Sequence, residues 1–293
     1  MHKALNQSSK VIIEARQLSR CFDRTIAVDK VDFSLNRGEI CAFLGPNGAG
    51  KTTIIKMLTG LLEASSGEIL YEGEHFHPRR LNLKKLIGVV PQHNNLDREL
   101  SLVQNLRVHG MLYHLRGKAL EQQIEQSLQF TDLYEHRNKP AEKLSGGMKR
   151  KLVIARALMH QPKILFLDEP TVGLDPHSRR QMWQFLSRIN QQQQCTIFLT
   201  THYIEEAERL AQRVIFIEQG KLIAEGTPEQ LKTKVGQFVL DIQGENLEQE
   251  FFEQRQDALS RLANITDAPV SIRETTLEDV FLTLTGKRLI KHA

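Results

Sequence analysis

The chain has 293 residues, of which 40% are hydrophobic and 25% are charged, and this composition is ordinary for a globular protein. A formal net charge of +4 is too mild to argue for a nucleic-acid partner, although it would tolerate an acidic partner or a membrane surface. The sequence contains no apolar run near the roughly 20 residues that a membrane-spanning helix needs, which argues against an integral membrane protein.

The first part of the chain is rich in strand-forming residues. Residues 1–10 lack the apolar core of a signal peptide, so we expect the chain to remain in the cytosol. Residues 11–15 and 27–35 predict two strands joined by a turn, because both segments contain β-branched or aromatic residues with partial alternation. Phe22 lies between the two segments, and taken alone it is a packing residue.

A glycine-rich segment comes next and has the pattern of a phosphate-binding loop, Gly-x-x-x-x-Gly-Lys-Thr. It lies between a predicted strand at 39–44 and a predicted helix at 52–62, and this context disfavours a chance glycine-rich turn. The glycines allow backbone N–H groups to turn toward an anion, and the helix N-terminus adds positive potential. Lys51 can reach the β- and γ-phosphates of a nucleotide, and the Thr52 hydroxyl can ligate Mg²⁺. The residues expected to bind the phosphates are Gly45, Pro46, Asn47, Gly48, Ala49, Gly50, Lys51, Thr52 and Thr53.

The middle of the chain changes from an α/β pattern to a helical one. Residues 65–73 predict a turn and a short strand, and residues 86–90 predict a buried strand that leads into Gln92. Residues 100–130 place apolar side chains at helical spacing, and Gly117 separates two predicted helices. This segment predicts a helical insertion in an otherwise α/β chain.

A second glycine-containing motif precedes a predicted helix at 149–159. Ser145, Gly146 and Gly147 can form another anion site at a helix N-terminus. The alternative is a helix that is simply capped by a serine, and this would be the better interpretation if the motif stood alone.

Two further predicted strands end in polar residues. An apolar strand at 164–169 ends in Asp168 and Glu169, and ligands of α/β sheets bind where the strands end. Asp168 there can hold Mg²⁺, directly or through water, and Glu169 can polarise a water for in-line attack on the γ-phosphate. A solvated acidic turn is the alternative, which the upstream phosphate loop disfavours. His202 follows a buried strand at 195–200 and is a candidate sensor of the γ-phosphate, although a lone histidine is usually structural.

The chain closes with a hairpin and a tail of different character. Strands at 214–217 and 221–225 form the predicted hairpin, and the tail beyond residue 231 has the pattern of a small α+β appendage. In this tail the sequence predicts a strand at 238–242, an acidic, glutamine-rich helix at 246–262, a strand at 270–273 and a helix at 276–284.

Five stretches together resemble the ATP-binding subunit of ABC transporters in their order and spacing. They are the loop at 45–53, Gln92, the Leu-Ser-Gly-Gly run at 144–147, the strand end at 164–169 and His202. The resemblance covers about residues 10–230, and its Ser-Gly-Gly signature separates this family from other P-loop ATPases.

The resemblance implies an α/β fold with several parts. They are a P-loop NTPase core of the ABC ATPase type with an antiparallel β subdomain and an inserted helical subdomain, followed by a small C-terminal α+β appendage. The implied domains are an ABC ATP-binding domain at 1–230, with its helical subdomain at about 95–160, and an accessory region at 231–293.

The resemblance also implies which residues hold ATP. Phe22 is similar to the aromatic residue that stacks on adenine, where tyrosine is more common, and stacking needs only a π-face. The signature at 145–147 resembles the segment that clamps the γ-phosphate of ATP held by the opposite subunit. Met148 stands where glutamine is frequent, but its side chain follows the clamp. Asp175 resembles the aspartate of the dimer-contact loop.

On the catalytic side, the resemblance assigns a role to each polar residue at a strand end. Gln92 resembles the loop glutamine that reaches Mg²⁺ and the attacking water, and the expected magnesium ligands are Thr52, Gln92 and Asp168. Glu169 resembles the catalytic base, and His202 resembles the switch histidine. The implied cofactors are ATP and Mg²⁺.

Residues 95–101 and 274–281 resemble a particular branch of the family, the ABC-2 type exporters, which include daunorubicin-resistance-like and nodulation-exporter ATPases. The implied partners are an integral membrane permease of ABC-2 type and a second copy of this chain in a homodimer. The implied location is peripheral, on the cytoplasmic face of the inner (cell) membrane. Substrates of this branch include drugs, lipids, polysaccharides and lipo-oligosaccharides, so we expect export of a hydrophobic or amphipathic substrate.

Two other classes of function fit parts of the pattern. A soluble ABC-type ATPase acting on nucleic acid or ribosomes usually carries two cassettes or a long coiled coil, whereas this sequence has one cassette and no heptad run. A non-hydrolysing regulatory module is disfavoured because both Glu169 and His202 are present.

Overall fold

The computed structural model describes residues 11–77, 80–243, 247–265 and 268–286. The predicted lack of a signal peptide concerns residues 1–10, which lie outside this described part. Within the described part, no helix combines the length and the apolar character needed to cross a membrane.

The described residues form three sheets with helices between and around them. In chain order the strands and α-helices are β1 (Val11–Phe22), β2 (Thr25–Asn36), β3 (Ile40–Leu44), α1 (Lys51–Leu58), β4 (Ser66–Tyr71), β5 (Glu74–His75), α2 (Leu81–Lys84), β6 (Ile87–Val90), α3 (Leu102–Leu112), α4 (Gly117–Phe130), α5 (Gly146–Leu158), β7 (Ile164–Asp168), α6 (Pro176–Gln193), β8 (Thr196–Thr201), α7 (Ile204–Leu210), β9 (Arg213–Glu218), β10 (Lys221–Gly226), α8 (Pro228–Thr233), β11 (Phe238–Gln243), β12 (Leu247–Phe252), α9 (Arg255–Leu262), β13 (Val270–Glu274) and α10 (Leu277–Thr285).

The largest sheet has six strands in the order β10-β9-β3-β8-β7-β6. Strands β9, β3, β8, β7 and β6 run parallel, and β10 pairs with β9 in the antiparallel sense at the edge. The carboxyl ends of the parallel strands therefore meet along one side of the sheet. The segments that leave this side include the phosphate loop after β3, His202 after β8, Glu169 after β7 and Gln92 after β6.

Strand β3 is buried on both faces, because its side chains alternate between two cores. Ile40, Ala42 and Leu44 pack in a core with residues of α5, α6 and α7. Cys41 and Phe43 pack in a second core with residues of α1 and of the antiparallel sheet β2-β1-β4-β5. The loop that follows β3 is thus anchored from both sides of the sheet.

Helices α3, α4 and α5 enclose a third core, which confirms that the middle of the chain is helical. The buried residues of α3 and α4 that show the expected helical spacing are Leu102, Leu106, Leu120, Ile124 and Leu128. Met111 has the same apolar character, but its side chain is 58% exposed. Gly117 is the first residue of α4, so the prediction that this glycine separates two helices holds to within one residue.

The tail contains the three-stranded antiparallel sheet β12-β11-β13 and the helices α9 and α10. The predicted helix at 246–262 is wrong in its first half, where β12 pairs with β11 from Leu247 opposite Gln243 to Phe252 opposite Phe238. Its second half is the helix α9, and residue 246 lies outside the described part. A local excess of glutamate and glutamine favours a helix, but antiparallel pairing with β11, the strand that comes just before it in the chain, makes this segment a strand.

Several element boundaries also differ from the prediction. Phe22 is the last residue of β1 rather than part of a linker, because β1 and β2 pair along most of their length. The predicted helix at 149–159 starts earlier, at Gly146, so the glycines of the second motif form its first turn. Glu169 lies just beyond β7.

Candidate nucleotide-binding and catalytic site

The phosphate loop between β3 and α1 has a backbone that requires glycine. Gly48 and Gly50 have φ angles of 82° and 104°, in a region that residues with a side chain rarely adopt. A Cβ at Gly45 would lie only 2.1 Å from the carbonyl oxygen of Ile217. The glycines therefore allow this backbone to form and to pack closely on β9.

Lys51, the first residue of α1, is buried inside the loop with 5% of its surface exposed. Its Nζ donates hydrogen bonds to the carbonyl oxygens of Gly45 at 2.8 Å and Pro46 at 3.0 Å. It also lies 3.5 Å from Oε1 of Glu169. Burial lowers the pKa of Lys51, and the nearby carboxylates of Glu169 and Asp168 oppose that shift.

Two predicted magnesium ligands lie side by side at the start of α1 and the end of β7. The Thr52 hydroxyl donates to Oδ1 of Asp168 at 3.1 Å. The same carboxylate oxygen accepts a hydrogen bond from the Thr200 hydroxyl on β8 at 2.7 Å. Mg²⁺ is a hard cation that binds oxygen ligands in proteins, so the Thr52 hydroxyl and the Asp168 carboxylate fit this ion.

Glu169 is held by contacts from two other segments. Its Oε1 lies 3.2 Å from Nδ1 of His202, and its Oε2 accepts a hydrogen bond from Nε2 of Gln92 at 3.0 Å. The hydrogen bond with His202 is the main reason why the pKa of Glu169 is lowered. The carboxylate is therefore ionised at neutral pH and can accept a proton, and the same shift makes it a weaker base.

The backbone of Glu169 is strained, with a φ of 45° for a residue that has a side chain. Its N–H donates to the carbonyl oxygen of Thr200 at 3.1 Å, so the neighbouring strand helps to hold it. Such strain costs about 1–3 kcal/mol and is found preferentially at functional sites.

Some of these residues line a cavity of about 320 Å³, whereas Asp168 and His202 are not among its lining residues in the described part of the chain. Its lining includes Gln92 and Glu169 together with Ala27 of β2 and six residues of the phosphate loop and α1, namely Asn47, Gly48, Gly50, Lys51, Thr52 and Thr53. A glycine-rich loop at the start of a helix, a buried lysine and a carboxylate line one cavity, and this combination suits a nucleoside triphosphate and a water molecule.

Phe22, the predicted adenine-stacking residue, is not among the residues that line this cavity in the described part of the chain. It lies opposite Thr25 at the end of the β1–β2 hairpin, and Thr25 is two residues before Ala27 on β2. The ring is 42% exposed, and the guanidinium of Arg20 lies 4.6 Å from its centre.

The signature motif lies at a different cavity. Ser145 and Gly147 line a space of about 140 Å³ with residues of α6, apart from the phosphate loop of the same chain. The Ser145 side chain accepts a hydrogen bond from the Met148 N–H at 3.3 Å, so it caps α5. Asp175 caps α6 in the same way by accepting from the Ser178 N–H at 2.9 Å.

Three residues near the site were missed by the sequence interpretation. Thr200 holds Asp168, and its position at the end of a buried strand was a usable signal. Arg150 on α5 is 3% exposed and donates to backbone carbonyls around Glu169. Glu206 on α7 is fully buried and accepts hydrogen bonds from side chains of other elements. Nothing in the local sequence pointed to the last two, since their partners are distant in the chain.

Known proteins resemble this chain over nearly its whole length. The profile of the family described as ABC transporter matches residues 28–172. Nod factor export ATP-binding protein I of Cupriavidus metallidurans is 36% identical, and the match covers 95% of this chain and 98% of the relative. The protein of the same name from Rhizobium sp. is 37% identical, with 97% and 100% covered. These relatives confirm the resemblance to the ABC-2 type exporter branch.

Solved structures confirm the predicted α/β fold of the ABC ATPase type. The cbiO1 protein of Clostridium perfringens, part of the ABC transporter complex cbiONQ, superposes with a TM-score of 0.72 at 29% identity, covering 77% of this chain and 92% of that one. An ATP-binding cassette of an ABC transporter in its ADP conformation gives a TM-score of 0.69 at 24% identity, covering 75% and 92%. The chain therefore belongs to the ABC transporter family, as an ATP-binding subunit whose ATP hydrolysis is coupled to transport.

Proposed function

We propose that this chain is the ATPase of an exporter and that Glu169 is the base of its hydrolytic reaction. The observation that carries the proposal is the position of the Glu169 carboxylate, between Lys51, Gln92 and His202 at the cavity of the phosphate loop. Phosphoryl transfer to water requires a base, hydrogen-bond donors for the transferred phosphate and a loop that binds the remaining phosphates.

In the proposed reaction, the residues of this chain bind and orient the reactants. The phosphate loop and Lys51 hold the phosphates, and Glu169 accepts the proton of the attacking water. His202 and Gln92 fix the carboxylate and contact the water and the γ-phosphate as hydrolysis proceeds. Thr52 and Asp168, with Gln92 nearby, would hold Mg²⁺, which when bound neutralises charge on the phosphates.

We further propose that two copies of the chain close head to tail on two ATP molecules. The signature at Ser145 and Gly147 lies at another cavity than the phosphate loop, which supports a role at the ATP of the partner rather than at its own. The N-terminus of α5 supplies N–H groups and positive potential for a γ-phosphate. Phe22 at the rim of the β1–β2 hairpin would stack on the adenine.

The transport role follows from the relatives. Proteins named as Nod factor export ATP-binding protein I match nearly the whole chain, and this supports export of a hydrophobic or amphipathic substrate of drug, lipid or polysaccharide type. The permease would be a separate integral membrane protein of ABC-2 type, and the ATPase would attach to it at the cytoplasmic face of the inner (cell) membrane. Residues 1–230, with a helical subdomain at about 95–160, would form the ATPase unit, and 231–293 an accessory region.

The test of the base assignment is the Glu169→Gln variant. The amide keeps the shape of the side chain but cannot accept the proton, so we expect ATP turnover to fall by about 10²–10⁴-fold. ATP binding should persist, and an ATP-bound dimer should accumulate in size-exclusion chromatography. Phosphate release measures turnover.

The matched control is Glu205→Gln, which removes an exposed carboxylate that pairs only with Arg209 on the described part of α7. Its turnover should stay within about twofold of the unmodified chain, because exposed ion pairs contribute little. Turnover of Glu169→Gln close to that of the control would refute the base assignment.

A further inference from the structure

Arg150 makes an unusual set of contacts for a buried cation. It lies on α5, five residues after Ser145, and only 3% of its surface is exposed. Every hydrogen bond that its guanidinium donates within the described residues ends on a main-chain carbonyl oxygen.

These carbonyl groups belong to two separate loops. In the loop after β6, Nη1 donates to Pro91 at 2.5 Å and to Gln92 at 3.2 Å. At the end of β7, Nη2 donates to Asp168 at 3.0 Å, and in the loop that follows it donates more weakly to Glu169 at 3.4 Å while Nε donates to Pro170 at 2.9 Å. The two loops carry the glutamine and the base that meet at 3.0 Å.

The planar guanidinium is suited to this task. It presents five N–H groups in fixed directions, so one side chain can hold the backbones of two loops at a fixed separation. A lysine has a single nitrogen with three donors on a flexible stem and cannot reproduce the fork.

We propose that Arg150 is a positioning residue that links the signature end of α5 to the Gln92 and Glu169 loops of the same chain. When Ser145 and its neighbours engage the ATP of the partner, α5 moves as a rigid helix and Arg150 carries both loops with it. When the signature of one chain engages the ATP of the partner, Glu169 of that same chain is thereby positioned at its own ATP. This inference rests on the proposed head-to-tail dimer.

The link predicts a specific defect. Without the guanidinium, the signature residues remain and the dimer can still close on ATP, but Gln92 and Glu169 are no longer held in register. Misplacement of a catalytic group by about 1 Å can lower a rate by about 10²-fold. Closed, ATP-bound dimers should therefore accumulate although Glu169 is intact.

The experiment compares Arg150→Gln and Arg150→Lys in the full-length chain with ATP and Mg²⁺. We expect turnover to fall about 10–100-fold in Arg150→Gln and less in Arg150→Lys, while the Kd for ATP of the monomer stays within about threefold. Size-exclusion chromatography should reveal an ATP-bound dimer for Arg150→Gln. The matched control is Arg188→Gln, which removes a half-buried guanidinium that donates to the Phe130 carbonyl and pairs with Asp132, and neither Arg188 nor Asp132 lines the cavity of the phosphate loop.

Two results would overturn the inference. One is turnover in Arg150→Gln within threefold of the Arg188→Gln control. The other is slow turnover without any ATP-bound dimer, which marks a merely structural role. The Glu169→Gln chain is measured in parallel, since failure of that chain to dimerise on ATP refutes the head-to-tail dimer itself. A dimer of Glu169→Gln together with either overturning result refutes only the role of Arg150.

Discussion

At the scale of single residues, the pKa values of two buried carboxyl groups near the site are shifted in opposite directions. The hydrogen bond with His202 lowers the pKa of Glu169, whereas burial raises the pKa of Glu206. Oε1 of Glu206 accepts hydrogen bonds from the Thr171 hydroxyl at 2.9 Å and from Nε1 of Trp183 at 3.1 Å. Glu206 thus joins the loop after β7 to α6 and α7.

The raised pKa of Glu206 predicts how its replacement changes the dependence of stability on pH. A carboxyl group with a raised folded pKa contributes stability that is fully present below its unfolded pKa, near 4.3, and is lost as the pH rises through the folded pKa. Glu206→Gln keeps an acceptor for Thr171 and Trp183 but does not titrate. We therefore expect the Tm of Glu206→Gln minus the Tm of the unmodified chain to increase as the pH rises from about 4 to 8.

Thermal unfolding at several pH values measures this effect. The exposed Glu205 serves as the control, because Glu205→Gln should show an almost constant Tm difference over the same range. A Tm difference for Glu206→Gln that does not change with pH would contradict the prediction.

How much of the site could be predicted differs from residue to residue. Asp168, Glu169 and His202 could be placed from the sequence because each lies at the end of an apolar strand, and the ends of parallel strands meet. Arg150 and Glu206 could not, since their role depends on which distant backbone or side chain they meet. For the signature serine, the sequence left two roles open, a γ-phosphate clamp and a helix cap. In the structure, the Ser145 side chain does cap α5.

At the scale of elements, regular segments with strong apolar character were predictable and β12 was not. The buried strands β3 and β7 of the large sheet consist almost wholly of apolar residues, so their type follows from local sequence. Strand β12 carries glutamate and glutamine, and it is a strand because β11 offers it a complete antiparallel edge. Such pairing becomes visible only in three dimensions.

In the tail, Arg273 joins two strands of the sheet to a helix. Arg273 on β13 donates to Asp241 on β11 at 2.7 Å and to Asp279 on α10 at 2.7 Å and 2.8 Å. Asp279 is 4% exposed, whereas the Arg273 side chain is 38% exposed, so solvent screens part of the interaction. We expect Arg273→Gln to destabilise the protein by about 1–3 kcal/mol and to lower amide protection in β11 and β13.

Hydrogen exchange followed strand by strand tests this prediction. The control is Arg261→Gln, which removes an exposed pair with Glu250 and should change stability by less than about 1 kcal/mol. Adding Asp279→Asn to Arg273→Gln should recover part of the loss, because it removes the buried unpaired charge. Equal protection in Arg273→Gln and the control would contradict the role given to Arg273.

At the scale of the whole molecule, the tail packs into the core of the ATPase part. Leu277, Val280 and Phe281 of α10 belong to the same buried cluster as residues of β3 and β9. The rings of Phe281 and Phe216 lie 5.5 Å apart in an edge-to-face arrangement, and the Leu277 N–H donates to Glu208 on α7 at 3.0 Å. Composition alone separated this tail from the rest, but its helix contributes to the common core.

This packing predicts that α10 stabilises the ATPase part itself. Phe281 is 1% exposed, so Phe281→Ala should leave a cavity and lower the free energy of unfolding by about 3–5 kcal/mol. Because Phe216 lies on β9 beside β3, we expect one cooperative transition at a lower Tm, followed by intrinsic fluorescence of Trp183 on α6. Leu284→Ala, at a position that is 44% exposed on the same helix, should shift stability by less than about 1 kcal/mol. A low-temperature transition of the tail that leaves the Trp183 signal unchanged would instead mean that the tail unfolds on its own.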